Sequence, residues 1–179
     1  MEPLTAHFLE GLAAGRGDTE VVRALLDNGA DANTTLPEGE TVLMAAARAG
    51  SVDVVRLLIA RGADIDVRES WRGQSALMWA AAENHPQAVH TLLELGARVD
   101  ERSTSGWTAL LFAIRAGQTE AVQALLEAGA DVNDTVQPLP RTGADSEDGS
   151  GRRSAADGTS GLVIAVANGQ FSLATSLIA

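Results

Sequence analysis

The 179-residue chain contains no cysteine, no tyrosine and no lysine, and only 3% of it is aromatic. Without cysteine there is no disulfide, no thiolate-bound zinc, no iron–sulfur cluster and no thiol nucleophile. With 3 Trp and 3 Phe, a core has to come from Ala, Leu and Val, and a hydrophobic content of 45% is enough to supply one. Positive charge is scarce as well. The 13 basic residues, all Arg, face 24 Asp+Glu, for a formal charge of −11. Counterion release needs a positive surface, so neither nucleic acid nor an anionic membrane is expected as a partner. No apolar run reaches the roughly 18 residues of a membrane span. Met1-Glu2-Pro3-Leu4 lacks the positive flank and apolar stretch of a signal peptide. A cytoplasmic location is expected on that ground, or a periplasmic or secreted one if a leader precedes Met1. The excess of Arg, Ala and Gly suggests a GC-rich, bacterial genome. Length alone points to one domain or two.

What the chain does have is repetition. Gly-Ala recurs at Gly29-Ala30, Gly62-Ala63, Gly96-Ala97 and Gly129-Ala130, at intervals of 33, 34 and 33 residues. Each pair closes a similar frame, such as Leu58-Ile59-Ala60-Arg61-Gly62-Ala63-Asp64 or Leu125-Leu126-Glu127-Ala128-Gly129-Ala130-Asp131. A fixed period of this length signals a stacked-repeat architecture.

Each unit carries two short helical patterns. Thr41 to Gly50 is echoed by Ser75 to Asn84, Thr108 to Gly117 and Ser160 to Gly169. Thr or Ser opens each one as an N-cap. Leu43, Ala46 and Ala47, at i, i+3 and i+4, give an apolar face. Gly50, Gly117 and Gly169, with Asn84 as substitute, end the helix where a left-handed residue is wanted. The second helix carries Val54, Val55, Leu58 and Ile59, echoed by Ala121, Val122, Leu125 and Leu126, and Pro86 sits at the first turn of its third copy. Polar stretches such as Asp64 to Glu69 read as extended turns between units. One unit buries too little to fold alone, but neighbours share a continuous core.

The frame Gly-x-Thr-x-Leu-x-x-Ala-Ala-x-x-Gly, then Val-Val-x-x-Leu-Leu, then Gly-Ala-Asp-x-Asn, resembles that of ankyrin-repeat proteins. It runs through Gly39 to Asp66, Gly73 to Asp100 and Gly106 to Asn133, after a degenerate first unit ending at Asn33. The resemblance implies an all-α solenoid of about five helix-turn-helix units with extended finger turns, the last unit truncated. It forms a single domain over 1–179, with units at about 5–35, 36–69, 70–102, 103–135 and 156–179. The chain departs from the family where Thr-Pro-Leu-His becomes Thr41-Val42-Leu43-Met44, Ser75-Ala76-Leu77-Met78 and Thr108-Ala109-Leu110-Leu111. Apolar packing replaces the histidine's hydrogen bonds there. The run Trp71 to His85 is similar to bacterial members.

The first unit has only a loose first helix, Phe8 to Ala14, with Glu10 where Leu43 stands, as suits a capping unit. At the other end nothing polar caps the fifth unit, so further repeats or a partner are expected over Leu173 and Leu177, with self-association a further possibility. Between units four and five, 19 extra residues form a Gly/Ser-rich insertion at 136–155, expected to be a loop projecting from the finger edge.

Catalytic and metal chemistry find little support. His85 and His90 are five apart with Pro86 between them, which is no metal spacing, and His85 falls where the family has a hydrogen-bonding His. Asp145-Ser146-Glu147-Asp148-Gly149 lacks the alternation and distal Glu of a calcium loop. Asn33-Thr34-Thr35 and Asn133-Asp134-Thr135 match the glycosylation pattern but fall on the family's turn Asn. No catalytic residue, cofactor or metal is therefore expected, and the chain reads as a non-enzyme.

By the resemblance, partners bind through the finger turns and the concave edge of the first helices. The corresponding residues are Glu38, Glu40, Arg48, Trp71, Arg72, Gln74, Glu83, Ser105, Trp107 and Arg115. Trp and Arg among them are the types enriched in interface hot spots. Stacking of Trp71 and Trp107 on neighbouring fingers is the competing assignment. Trp79 and Phe112, in register with Ala45 and Ile164, are assigned to the core. The expected role is a protein-interaction scaffold, or a regulatory segment of a longer enzyme or receptor.

Overall fold

A computed structural model of the chain describes residues 13–36, 39–137 and 158–178. Residues 13–16 are helical. After them come α1 (Thr19–Asp27), α2 (Val42–Arg48), α3 (Val52–Ala60), α4 (Ala76–Ala82), α5 (Pro86–Glu94), α6 (Ala109–Ala116), α7 (Thr119–Glu127), α8 (Gly161–Ala167) and α9 (Phe171–Ser176). The even-numbered helices form one row and the odd-numbered helices a second. Thus α4 packs between α2 and α6, α6 against α8, and α5 between α3 and α7. This is the helix-turn-helix solenoid expected from the period. Of the expected first helix, Phe8 to Ala14, only the buried Ala13 and Ala14 lie among the described residues.

Residue size sets the helix spacing. Ala46, Ala80, Ala113 and Ala165 hold one register position and are all fully buried, which lets successive helices approach closely. One position breaks this pattern. Ile114 stands where α2 and α4 have Ala47 and Ala81, and it is fully buried too. The next unit answers with Gly161, where earlier units have Val42, Ala76 and Ala109. A Cβ at Gly161 would lie 2.5 Å from Ile114 Cδ1.

Helix ends follow the sequence, with two exceptions. Gly50, Gly117 and Gly169 have positive φ, and Asn84 does the same at φ 58°. Thr41 and Thr108 accept from the backbone N–H of Met44 (3.2 Å) and Leu111 (3.4 Å). Ser75 and Ser160, expected to cap likewise, make no such bond. Serine lacks the β-branch that restricts threonine's χ1.

The fingers contain isolated antiparallel bridges, Thr35 with Thr41, Arg68 with Ser75 and Thr135 with Ser160, and no strand among the described residues. The third bridge joins the two sides of the long insertion. Val136 N donates to Thr159 O (3.0 Å), and Gly158 N donates to Val136 O (2.8 Å). Val136, expected to open the insertion, is only 1% exposed. It fills the buried register position held by Glu69 and Ser103 in the preceding fingers, so the insertion begins after it.

The apolar end also differs from expectation. Leu173 is buried and Leu177 half-buried, whereas Val163, Val166, Phe171 and Ile178 are exposed. Leu173 aligns with Val54 and Ala88, which face their own unit. Val163 and Val166 align with Met44 and Ala47, which the following unit covers.

Polar ties run from unit to unit along the turns. Asn33 Nδ2 donates to Gly62 O (2.9 Å) and Asn33 Oδ1 accepts from Asp64 N (2.7 Å), so this asparagine serves the turn. Arg68 reaches Arg102 O (3.0 Å), and Arg102 in turn donates to Thr135 O (2.9 Å) and pairs with Asp134. Glu101 lies beneath them, its side chain 7% exposed, 2.6 Å from Arg98 and 3.8 Å from Arg68. Burial pushes its carboxyl above the ordinary 4.5, although Arg98 pulls the other way. A raised acid pKa means that the ionised form opposes folding above that pKa, and the opposition fades as the pH falls towards the unfolded value. Glu101→Gln is therefore expected to raise the thermal midpoint at pH 7, with the gap to the parent closing near pH 4.5. A variant less stable than the parent at pH 7 refutes this.

Candidate partner-binding surface

The finger that leads into the third unit, from Arg68 to Ser75 and called the third finger, is built around one carboxylate. Glu69 is buried, and its oxygens accept the backbone N–H of Trp71, Arg72 (2.8 and 2.9 Å) and Gln74 (3.0 Å). Glu69 N closes the loop by donating to Gln74 O (3.0 Å). A turn stitched in this way is held open at its tip. Trp71 stands there 71% exposed, with the Arg72 guanidinium 4.2 Å from its ring centroid. Trp71 therefore does not bury itself on the neighbouring finger. Gln74, expected on this surface, is 5% exposed and is withdrawn from it, because the ring it closes with Glu69 draws it inward.

The fourth finger uses Ser103 in place of Glu69. Its Oγ accepts from Trp107 N (3.2 Å), and its N–H donates to Trp107 O (2.9 Å). The two fingers are joined at Thr104, whose N–H (2.9 Å) and Oγ1 (2.7 Å) both donate to Arg72 O. Trp107 is half-buried against Phe112, ring centroids 5.6 Å apart, and carries Arg115 at 5.3 Å. Phe112, assigned to the core from its register, is only half-buried and backs Trp107. Ser105 is exposed on the same finger.

A third cluster lies between α2 and α4. Arg48 Nη2 is 3.2 Å from Glu40 Oε1, and its guanidinium sits 5.5 Å from the Trp79 ring centroid. Trp79 Nε1 is buried and has no acceptor; Glu40 Oε1 is buried and not aligned for a hydrogen bond with Arg48. Register with Ala45 assigns Trp79 to the core, and the structure corrects this. An indole is too large for the gap that an alanine fills, so the ring lies half out, under Arg48. Its bulk is the signal that register alone hides. Glu83 is exposed beyond the end of α4, and Glu38 lies outside the described residues.

His85 serves the architecture, its Nε2 donating to Arg48 O (3.0 Å) at the end of α2. Gln118 holds the same place one unit on, donating to Ala82 O (3.1 Å). These cross-unit bonds tie down the last carbonyls of α2 and α4, just before the exposed Glu83. Among the described residues no three His, Asp or Glu side chains gather as metal ligands would, and no helix is long and apolar enough to cross a membrane.

Paired helices in register, fingers and cross-unit bonds define a class, the stacked-repeat interaction protein. The family model "Ankyrin repeats (3 copies)" matches residues 11–103 and 70–136, and the chain belongs to that family. It is similar to the E3 ubiquitin-protein ligase XBAT33 of Arabidopsis thaliana, with 32% identity over 87 residues. That match covers 49% of this chain but only 16% of the plant protein.

Proposed function

We propose that the chain is a non-catalytic scaffold that engages a protein partner through its finger turns and concave edge, with Trp71, Arg72, Trp107 and Arg115 as anchors. Ankyrin repeats serve protein–protein interaction, and the family match supports the general role. The observation that carries the finer reading is Trp71. A large indole 71% exposed on a turn immobilised by a buried carboxylate is preorganised for burial against another surface. Glu40, Arg48 and Trp79 extend the surface along the concave edge, with Glu83 and Ser105 at its rim.

The test is affinity capture from lysate of the source cells, comparing the parent with a Trp71→Ser, Arg72→Ser, Trp107→Ser variant of matching helical circular dichroism. A protein held by the parent and lost by the variant supports the surface. Identical captures, or none, overturn it.

A second reading, a regulatory segment of a longer enzyme, draws on the plant relative, a ligase of which the matched region is 16%. A reading frame that continues on either side of residues 1–179 into a catalytic domain would favour it, and a frame holding no catalytic domain on either side would remove it.

A further inference from the structure

Among the described residues most arginines are paired, as an excess of acid would dictate. Among the described residues Arg23, Arg48, Arg56, Arg61, Arg68, Arg98 and Arg102 each have a carboxylate within 3.9 Å. Apart from Arg16 in the first unit, the exceptions are Arg72 and Arg115. Arg72 lies on the third finger and Arg115 in the last turn of α6, over the Trp107 of the joined fourth finger, and both rest on a tryptophan ring instead. With 24 acidic residues available to 13 basic ones, two neighbouring unpaired guanidinium groups at an exposed surface are the departure that needs a cause.

Stacking supplies the geometry. A guanidinium lying over an indole keeps its edge N–H donors free, and the ring limits the rotamers that must be frozen on binding. A carboxylate meeting that edge can accept two parallel hydrogen bonds. The nearest acid on the third finger, Glu69, is committed to three backbone N–H groups and leaves Arg72 unpaired.

Resting on the scaffold reading above, we infer that the surface formed by Trp71, Arg72, Trp107 and Arg115 is a receptor for an acidic peptide segment, whose Asp or Glu carboxylates pair with Arg72 and Arg115 while its apolar atoms cover the two indoles. A polynucleotide is the less fitting occupant, because the −11 charge of the whole chain repels a long polyanion while a short acidic segment meets mainly the local cations.

The test uses the full chain and three probes: a fluorescein-labelled Glu/Gly peptide, its Gln/Gly counterpart and a single-stranded oligonucleotide, read by fluorescence anisotropy at low and moderate salt. The expected result is binding of the Glu peptide alone, weakened by salt and weakened about tenfold for each of Arg72→Gln and Arg115→Gln, the equivalent of one charge-assisted hydrogen bond. Arg56→Gln, on the α3–α5 side and ion-paired to Glu94 at 3.0 Å, serves as the charge control and is expected to leave affinity unchanged. The inference is overturned if the Gln peptide binds equally, if the oligonucleotide binds better, if the Glu peptide does not bind, or if Arg56→Gln matches Arg72→Gln. Repeating the lysate capture with Arg72→Gln, Arg115→Gln separates the two readings. A partner lost with the tryptophans but kept by this variant leaves the surface standing and removes its acidic specificity.

Discussion

Replacing Ile114 by Ala is expected to lower the unfolding free energy by about 2–5 kcal/mol, and the loss should be smaller when Gly161→Ala is made with it. Ile114 is fully buried and is the largest side chain at its register position, which Ala47 and Ala81 fill elsewhere. Its removal leaves a void that the rigid helix pair α6 and α8 cannot wholly close. Gly161 is the other half of the fit. Gly161→Ala alone puts a methyl 2.5 Å from Ile114 Cδ1 and should cost about 1–3 kcal/mol as Ile114 leaves its rotamer. Together the methyl enters the space that the isoleucine vacates. A denaturant series on the four proteins measures the coupling, and strictly additive losses would sink the account. Because a repeat array is held by nearest-neighbour contacts, hydrogen exchange should show the damage concentrated in α8 and α9.

Glu69→Ala is expected to cost about 1.5–3 kcal/mol and to free the tip of the third finger. Its carboxylate holds the N–H groups of Trp71, Arg72 and Gln74. Glu69→Gln keeps the shape and one acceptor oxygen without the charge, and it should fall between the parent and the alanine variant. The signature is local: amide exchange at residues 71, 72 and 74 should accelerate while α4 stays protected. Unchanged exchange at those three amides would show that the finger is held by something else.

Periodicity makes the architecture legible. The glycines at the helix ends, the buried Ala series at Ala46, Ala80, Ala113 and Ala165, and His85 are all readable because each recurs, or fits a frame that recurs. Residues that do their work once are harder to read. Glu69 looks like any polar turn residue until its three backbone partners are seen, and Gln74 looks exposed for the same reason. Trp79 is misplaced when register is trusted over volume, and Leu173 when a leucine near the end is assumed to face outward. Of the proposed surface, Trp71, Arg72 and Trp107 are named from residue type and finger position, and Arg115 from residue type and its place at the end of α6. What sequence does not carry is which guanidinium lies on which ring and which arginines lack an acid, since both depend on side-chain distances that only the folded chain sets.

The bridge between Thr135 and Ser160, with Val136 buried behind it, bears on how this chain can change. Val136 and Thr159 hold entry and exit beside each other, so the bridge itself does not set how much chain passes between its two sides. Doubling that length costs only about 0.6 kcal/mol in loop closure. The fold thus carries a slot whose two sides are paired by their own backbone, so that the pairing does not call on the sequence that passes between them.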